Sequence, residues 1–202
     1  MYDIYVINLS SRKDRMNRII DEFKNYDQFN IIRVDAVYNK QGHIGCLLSH
    51  KKCIEIAKSK NLKNIIVIED DCTFINNFIF RFPKIYEFLE NNDKSWDLFL
   101  GGVNYTKKCN VIKQIDIDSE HLLNINFGTM THFMIYNYSI YDHILNLDEN
   151  KELIDRFWHY KYNAIIPYPF IAWQCGGYSD IYQCDLTRKY KLYLNSIEKL
   201  TD

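Results

Sequence analysis

The chain alternates short apolar runs with longer amphipathic stretches, which is the pattern of a protein built from strands and helices. Residues 65–68 form its most uniform apolar run, Ile-Ile-Val-Ile. A continuous β-branched run of this length is typical of a strand buried on both faces of a parallel sheet. Other apolar runs predict strands at residues 2–9, 31–34, 96–100, 121–127, 131–136 and 164–166.

Apolar residues at helical spacing predict helices between these strands. The longest covers residues 42–59, where Leu47, Ile54 and Ala57 share one stripe. Ser10 or Ser11 is expected to cap the first helix, and further helices are predicted at residues 78–89, 138–147 and 151–160. The alternation predicts a single α/β domain over residues 1–202, with a mainly parallel, Rossmann-like sheet flanked by helices.

Two stretches lack a clear period. Residues 105–118 are polar and are expected to form an exposed loop or an edge hairpin. Residues 167–181 contain two prolines and two glycines, which favours an ordered loop across the mouth of a cleft.

Three carboxylates, Glu69, Asp70 and Asp71, follow the central strand directly. In open α/β sheets, ligands bind beyond the carboxyl ends of the strands, and a divalent cation there would offset the clustered charge. Alternation along an extended chain places Glu69 and Asp71 on one side and Asp70 on the other. The first two are therefore candidates to face a metal or ligand, although a solvated acidic turn is the plainer interpretation.

Polar residues near the ends of the first two strands are further candidates. Asn8 lies at the end of the first strand, and Arg12 and Arg15 follow it early in the next helix. The two arginines either meet an anionic ligand or belong to a solvated basic face. Asp35 follows the second strand, where an acidic residue can accept hydrogen bonds from ribose hydroxyls or simply form a turn.

Two of the histidines on predicted helices are considered as site residues. His50 lies on the apolar stripe of residues 42–59, where a histidine is more often a hydrogen-bonded core residue than a catalyst. Asp155 and His159 are spaced i, i+4 on the helix predicted at 151–160. Both side chains are therefore expected on one face, and both could point into a cleft.

Composition narrows the class of function. The chain has 202 residues, of which 47% are hydrophobic, enough for one sizeable domain. Its net charge of −1 gives no electrostatic basis for binding nucleic acid. No apolar run reaches the length of a membrane span, and the first residues do not form a signal peptide.

The six cysteines contain no CxxC pair, so a structural zinc site is not expected. Cys46 and Cys53 lie two turns apart on one predicted helix, which is too far for a disulfide. The cysteines are therefore interpreted as reduced thiols, which predicts a cytoplasmic protein.

Four blocks of the sequence together resemble glycosyltransferase family 25, which includes bacterial lipooligosaccharide galactosyltransferases and collagen hydroxylysine galactosyltransferases. The combination of GxIGCxLSH with a following EDD is specific. The blocks, in the order of the family, are YVINLSSRKDR at residues 5–15, GHIGCLLSHKKCIEIAK at 42–58, IIVIEDD at 65–71 and PYPFIAWQCGGYSDI at 167–181.

The resemblance implies a GT-A fold and an inverting transfer of galactose or glucose. The donor would be UDP-galactose or UDP-glucose, and the acceptor a hydroxyl of a glycan, a glycolipid or hydroxylysine. The EDD block would then be the metal motif, with Mn²⁺ or Mg²⁺ held by Glu69, Asp71 and, if it is not a turn cap, Asp180. The donor pocket is expected to include Asn8, Arg12, Arg15, Asp35, Ser49, His50, Glu69 and Asp70.

The resemblance also suggests an acceptor side. An inverting transfer needs a base for the attacking hydroxyl. Asp155 is the first candidate, because LIDRFWH at residues 153–159 is similar to a family stretch, and His159 is the second. The residues expected to contact the acceptor are Thr129, Trp173 and Gln174, and an apolar platform for a sugar ring is expected from Trp158, Trp173 and Tyr178.

Two other functions compete with this interpretation. A metal-dependent nucleotidyltransferase would use carboxylates after a strand in the same way, but it would be expected to carry a Gly-rich or Lys-bearing phosphate loop. A catalytically inactive glycosyltransferase-like binding domain is the second alternative, against which the intact Glu69, Asp71 and Asp180 argue. The sequence leaves the sugar, the acceptor and the oligomeric state open.

Overall fold

A computed structural model describes residues 1–104, 111–117, 120–176, 178–179 and 184–185 of the chain. Its centre is an eight-stranded sheet with the strand order β2-β1-β3-β8-β5-β9-β7-β6. The strands of this sheet are β1 (Tyr2–Asn8), β2 (Phe29–Asp35), β3 (Asn64–Glu69), β5 (Leu98–Leu100), β6 (Val111–Ile117), β7 (Glu120–Ile125), β8 (Phe133–Asn137) and β9 (Ala164–Tyr168). Two small sheets pair β4 (Cys72–Phe74) with β10 (Ala172–Gln174), and β11 (Tyr178–Ser179) with β12 (Cys184–Asp185).

Most strands of the large sheet run in one direction. β1 is parallel to both β2 and β3, and β5 is parallel to β9. β8 is antiparallel to its neighbours β3 and β5, and β7 is antiparallel to β9 and β6. Six of the eight strands therefore point the same way and only β8 and β7 are reversed, which confirms the predicted α/β class with a mainly parallel sheet.

Helices cover both faces of this sheet. They are α1 (Lys13–Phe23), α2 (Gly42–Ser59), α3 (Phe78–Asn91) and α4 (Tyr141–Leu145), the last preceded by a 3-10 turn at Tyr138–Ile140. Alternate residues of β3 point into different cores: Ile65 and Val67 pack with α2 and α4, whereas Ile66 and Ile68 pack with α1 and α3. The predicted burial of this strand on both faces is confirmed.

The structure corrects the predicted start of the first helix. α1 begins after Arg12, and no side chain caps it, so neither Ser10 nor Ser11 has the predicted role. The carbonyl of Arg12 instead accepts hydrogen bonds from the Met16 amide and from the side chain of Asn8. The observed bounds of α2 are the predicted ones. Pro83 lies inside α3 and does not end this helix.

The helix predicted at residues 151–160 is wrong. These residues form successive turns, in which Arg156 bonds to the carbonyl of Leu153 and His159 to that of Arg156. Tyr160 has a positive φ of 55° and its amide donates to the carbonyl of Asn126, so the chain leaves helical geometry here to reach the neighbouring segment.

Two loop predictions are resolved differently. Residues 111–117 form the edge strand β6 of a hairpin with β7, the second of the two predicted alternatives. Residues 172–174, predicted as part of a loop, form β10 and pair with the strand that follows the carboxylate turn. This pairing brings Gln174 opposite Cys72, next to the predicted metal ligands.

Cys46, Cys53, Cys72 and Cys175 carry free thiols, whereas the side chains of Cys109 and Cys184 lie outside the described residues. Among the helices described, none combines the length and apolar character needed to cross a bilayer.

Candidate active site

A cavity of about 130 Å³ lies beyond the carboxyl ends of β1, β2 and β3. These strands are parallel and in register, with Asn8 opposite Asp35 and Ile7 opposite Glu69, so their polar ends meet at one edge of the sheet. The walls come from residues 36–39 after β2, from the first half of α2 and from the carboxylate turn at residues 69–71. This is the position at which open α/β sheets bind ligands.

Glu69 ends β3 on the side of α2. Its Oε1 accepts a hydrogen bond of 2.6 Å from the Thr131 hydroxyl and lies 3.5 Å from both His50 Nε2 and Cys46 Sγ. Burial favours the neutral acid, but the hydrogen bonds and charge of His50 and the bond from Thr131 outweigh it and lower the pKa of Glu69 to about 2. The side chain is therefore a carboxylate at neutral pH.

Asp70 turns toward β1 and α1. Its two oxygens accept a hydrogen bond of 2.7 Å from the Asn8 amide and one of 3.0 Å from Arg15. Burial raises the pKa of Asp70, and Arg15 opposes that shift. Asn8 also donates to the carbonyl of Arg12 and accepts from Arg33, so its side-chain amide is fully engaged within the protein.

Asp71 lines the cavity and contacts β10 and α1. Its Oδ2 accepts a hydrogen bond of 2.7 Å from Gln174, and Arg15 lies 3.7 Å away. Its Oδ1 is buried and has no hydrogen-bond partner among the described residues. Burial and the negative charge of Glu69 raise the pKa of Asp71 to about 7.

The environment of Asp71 fits a divalent cation. A buried carboxylate oxygen without a donor is costly, and carboxylate oxygens are the ligands that hard cations such as Mn²⁺ and Mg²⁺ prefer. Glu69 and Asp71 both line the cavity, and the charge of one raises the pKa of the other. A cation between them would replace that repulsion by attraction.

Removing the charge of Asp71 is expected to stabilise the metal-free protein as the pH rises. The pKa is raised to about 7 in the folded state from 3.8, so the folded protein holds a proton that the unfolded chain releases between about pH 4 and 7. That contribution is present below the unfolded pKa and is lost as the pH rises through the folded pKa. Asp71→Asn has no such loss.

The measurement is the difference in melting temperature between Asp71→Asn and the wild type, with a chelator present, from about pH 4 to 8. As the pH rises, the melting temperature of Asp71→Asn should increase relative to that of the wild type. In a domain of this size, each kcal/mol of stability lost by the wild type corresponds to about 2–4 °C. The comparison of two proteins cancels the opposing effect of buried His132, whose pKa is lowered to about 4. A difference that does not change with pH would contradict the raised pKa.

The arginines of α1 differ in their roles. Arg15 lines the cavity between Asp70 and Asp71. Arg12 forms an exposed pair with Asp14 and does not line the cavity. Arg18, which the sequence did not single out, donates to the carbonyls of Asp70 and Cys72 at 2.8 and 2.7 Å and so holds the backbone of the carboxylate turn.

Ser49 and His50 lie on the wall that α2 contributes. The Ser49 hydroxyl donates to the carbonyl of Gly45 and accepts from the amide of Val37, which fastens residues 36–39 to the helix. This close approach requires glycine, because a Cβ at Gly45 would lie 2.6 Å from the carbonyl oxygen of Val37. His50 is fully buried and bonds through Nδ1 to the Tyr136 hydroxyl at 2.9 Å.

The two candidate bases lie on the turns after α4, and neither is among the residues that line the cavity. Asp155 is half-buried, burial raises its pKa, and its charge acts on both Glu69 and Cys46. His159 Nε2 bonds to the carbonyl oxygen of Gly128 at 2.6 Å, so this nitrogen carries the proton and faces the backbone. Burial lowers the pKa of His159.

The remaining predicted residues are dispersed. Asp35 is 65% exposed, pairs with Arg33 and lies outside the cavity. Thr129 forms a backbone bridge with Asn104, and Trp173 is half-buried on β10 beside Gln174. Asp180, the predicted third metal ligand, lies outside the described residues, as does the side chain of Tyr178.

The predicted sugar platform is corrected at one position. Trp158 is fully buried in the core that lies on the α2 side of the sheet, so its ring has no face for a ligand. Two further residues contact Glu69 without having been predicted as site residues. Cys46, which the sequence marks only as a thiol on α2, lines the cavity. Thr131 is not among the lining residues, and nothing in the local sequence indicates that it would bond to Glu69 at a distance of 62 positions.

Residues 40–114 match the family described as "Glycosyltransferase family 25 (LPS biosynthesis protein)". This segment contains α2, the central strand β3 and the carboxylate turn. The resemblance predicted from the sequence is therefore confirmed over the part of the chain that supplies half of the residues lining the cavity.

Some curated relatives are named as galactosyltransferases and others as inactive members of glycosyltransferase family 25. Procollagen galactosyltransferase 2 of Mus musculus is 27% identical over 129 residues, which is 50% of this chain and 20% of that protein. Inactive glycosyltransferase 25 family member 3 of Homo sapiens is 37% identical over 62 residues, which is 31% of this chain and 10% of that protein. The chain thus spans a fifth or less of the length of these relatives.

Solved structures share only a general likeness. A glycosyltransferase involved in the glycosylation of the major capsid of PBCV-1 aligns with a TM-score of 0.44 at 9% identity, over 71% of this chain and 63% of that one. An apo UDP-glucose pyrophosphorylase aligns with a TM-score of 0.46 at 11% identity, over 99% and 81%.

Proposed function

We propose that the chain is an inverting glycosyltransferase, from the match of residues 40–114 to glycosyltransferase family 25 and from the cavity to which this segment contributes half of the lining residues. It would transfer galactose or glucose from a UDP-sugar to a hydroxyl of a glycan, a glycolipid or hydroxylysine. The observation that carries this proposal is the pair of carboxylates, Glu69 and Asp71, at the end of the central parallel strand, with one oxygen of Asp71 left without a donor.

Glu69 and Asp71 would hold Mn²⁺ or Mg²⁺, which as a Lewis acid supplies stabilisation of the charge that grows on the leaving diphosphate. Asp180 remains the candidate for a third protein ligand. Arg15 lines the same cavity and places a guanidinium beside the anionic groups of the donor. Asp70 and Asn8 act behind it, because their hydrogen bonds fix Arg15 and the start of α1.

Residues 36–39 are suited to the nucleoside end of the donor. Tyr38 lines the cavity and is 76% exposed, which leaves a face of its ring open for stacking on a base. The bond between Ser49 and the Val37 amide keeps this segment in place before the donor arrives. A pre-formed wall lowers the entropic cost of binding.

The base is proposed to be Asp155. Its carboxylate lies near enough to the cavity to act electrostatically on Glu69, and its raised pKa makes it a better proton acceptor than an ordinary aspartate. His159 is the weaker candidate, because its Nε2 proton is held by the carbonyl of Gly128.

A second function has a specific observation behind it. Several relatives are named inactive glycosyltransferase 25 family members. A domain of this kind would bind a donor or a glycan through the same cavity without turnover. The carboxylates of this chain favour the enzyme over the binding domain.

UDP-galactose or UDP-glucose is expected to raise the melting temperature in the presence of Mn²⁺. A ligand at about 100 times its Kd stabilises the folded state by about 2.7 kcal/mol, which corresponds to a shift of ~5–11 °C at this size. NAD and ATP serve as controls and should give no shift. A shift with ATP but with no UDP-sugar would favour a nucleotidyltransferase instead.

Turnover separates the enzyme from the binding domain. The same purified protein would be incubated with a UDP-sugar that raised the melting temperature, and the release of UDP would be followed with and without acceptor hydroxyls. Release of UDP supports the transferase. Tight binding without any release of UDP would support the inactive alternative.

A further inference from the structure

Three side chains of different chemistry converge at one end of the cavity. Cys46 and His50 are four residues apart on α2, so one turn of helix places both on the same face. Glu69 ends the neighbouring strand β3 and reaches the same point. The sulfur of Cys46, a ring nitrogen of His50 and a carboxylate oxygen of Glu69 all lie within 4.8 Å of one another.

We propose that Cys46, His50 and Glu69 form a binding site for a thiophilic divalent cation of the zinc type. Sulfur, imidazole nitrogen and carboxylate oxygen are the ligand atoms that Zn²⁺ takes in proteins. Three protein ligands are enough for a zinc site in which water occupies the fourth position. The site differs from the pair Glu69 and Asp71, because hard cations such as Mn²⁺ and Mg²⁺ do not select a thiolate.

The observed distances fit a tetrahedral ion. Zn–N and Zn–O bonds of about 2.0–2.2 Å and a Zn–S bond of about 2.3 Å place the ligand atoms ~3.3–3.6 Å apart at the corners of a tetrahedron. Glu69 Oε1 lies 3.5 Å from Cys46 Sγ and 3.5 Å from His50 Nε2. Two of the three edges between these ligand atoms therefore have the required length, and the third, between Cys46 and His50, is at most 4.8 Å.

A second layer of hydrogen bonds orients the imidazole. A histidine that binds zinc through one nitrogen normally uses the other as a donor to a nearby oxygen. His50 Nδ1 lies 2.9 Å from the hydroxyl of Tyr136, and that hydroxyl donates onward to the sulfur of Met134. The Tyr136 oxygen can therefore accept the Nδ1 proton, so that Nε2 can release its own proton and present a lone pair to a cation beside Glu69.

Charge also balances at this site. A thiolate and a carboxylate neutralise a divalent ion bound with a neutral imidazole. Binding releases to solvent the proton of the Cys46 thiol and the proton that His50 Nε2 donates to Glu69, and the imidazole keeps its proton on Nδ1. Cys46 and Glu69 line the cavity, so an ion can enter from it, and the fourth position faces the same space for a water molecule.

The shared carboxylate gives the site a consequence for the proposed function. Glu69 is shared by the zinc site on the α2 side and the proposed Mn²⁺ site with Asp71, so a zinc ion bound there withdraws negative charge from the Mn²⁺ site. Bound zinc is therefore expected to compete with the hard cation and to inhibit transfer. This last step rests on the proposed function, whereas the binding of zinc does not.

Cobalt is the direct probe of this site. The full chain would be stripped of metal with a chelator and titrated with Co²⁺, which takes the place of zinc and reports its ligands by colour. One Co²⁺ per chain is expected, with a thiolate-to-cobalt charge-transfer band and the intense visible bands of four-coordinate cobalt, and Zn²⁺ should abolish both.

Cys46→Ser is expected to remove the charge-transfer band and to weaken binding by at least about 100-fold. Cys175→Ser is the matched control, because Cys175 is another half-buried free thiol near the carboxylate turn and is not one of the ligands. It should keep the full spectrum. Equal spectra for Cys46→Ser and the wild type, or loss of the band in Cys175→Ser, would overturn the site.

Alkylation of the wild type tests the same point without a variant. Stoichiometric Zn²⁺ should protect Cys46 from a thiol reagent in peptide mapping and should leave Cys175 reactive. No protection of Cys46 would overturn the proposal even if Cys46→Ser fails to fold. All of these measurements are made without donor or acceptor, so they stand apart from the outcome for sugar transfer.

Discussion

Replacing Asp71 with asparagine is expected to lower sugar transfer by about 100-fold or more and to remove the dependence of donor binding on Mn²⁺. The change keeps the shape of the side chain and its acceptor for Gln174 but removes the charge beside Glu69. A metal ion supplies several kcal/mol of stabilisation to a charged transition state, and each 1.36 kcal/mol corresponds to about tenfold in rate. Calorimetric titration and a transfer assay would measure both effects.

Asp35→Asn is the matched control for Asp71→Asn. Asp35 is also an acidic residue at the end of a parallel strand, but it is exposed and paired with Arg33 outside the cavity. The metal proposal expects it to keep the Mn²⁺ dependence of the wild type. Normal binding of donor and metal by Asp71→Asn would show that the carboxylate turn holds no cation.

Asp155→Asn is expected to leave donor and metal binding nearly unchanged while transfer falls by about 10²–10⁴-fold, the usual contribution of a general base. The half-buried side chain lies on the turns after α4, apart from the residues that line the cavity. The loss should therefore appear in kcat and not in the Kd of the donor. The measurement is calorimetric titration beside a transfer assay.

Glu149→Gln provides the comparison for Asp155→Asn. Glu149 lies in the same segment, is 41% exposed and forms a long ion pair with Lys51. It should transfer sugar at the rate of the wild type. If Asp155→Asn also does so, Asp155 is not the base and His159 becomes the next residue to change.

The strands and the long helix α2 could be predicted from the sequence because each has a clear hydrophobic pattern of its own. The β-branched run of β3 is apolar on both faces, which indicates a strand buried between helices on either side of the sheet. The apolar stripe of α2 shows which face of that helix is buried. The helix predicted at residues 151–160 was wrong because contacts with other parts of the chain, and not the helical spacing of its apolar residues, determine its backbone geometry. Trp158 enters the core, and Tyr160 bonds to Asn126.

The candidate site was predictable where it depends on strand ends. Glu69, Asp70 and Asp71 needed only the rule that ligands collect at the carboxyl edge of parallel strands. Their partners were not predictable in the same way. Gln174 reaches Asp71 across 103 positions, and Thr131 reaches Glu69 because β8 pairs with β3. Such contacts depend on the order of strands in the sheet, which no local pattern encodes.

The mixed strand order has a consequence for synthesis on the ribosome. One edge of β3 pairs with β1, which is synthesised earlier. The other edge pairs with β8, and the partner of Ile68, Phe133, is synthesised 65 positions later. At roughly 5–20 residues per second, that edge of the most apolar strand stays unpaired for ~3–13 s. A nascent chain with an open hydrophobic edge for that long is a substrate for a chaperone and is prone to aggregate when translation slows between β3 and β8.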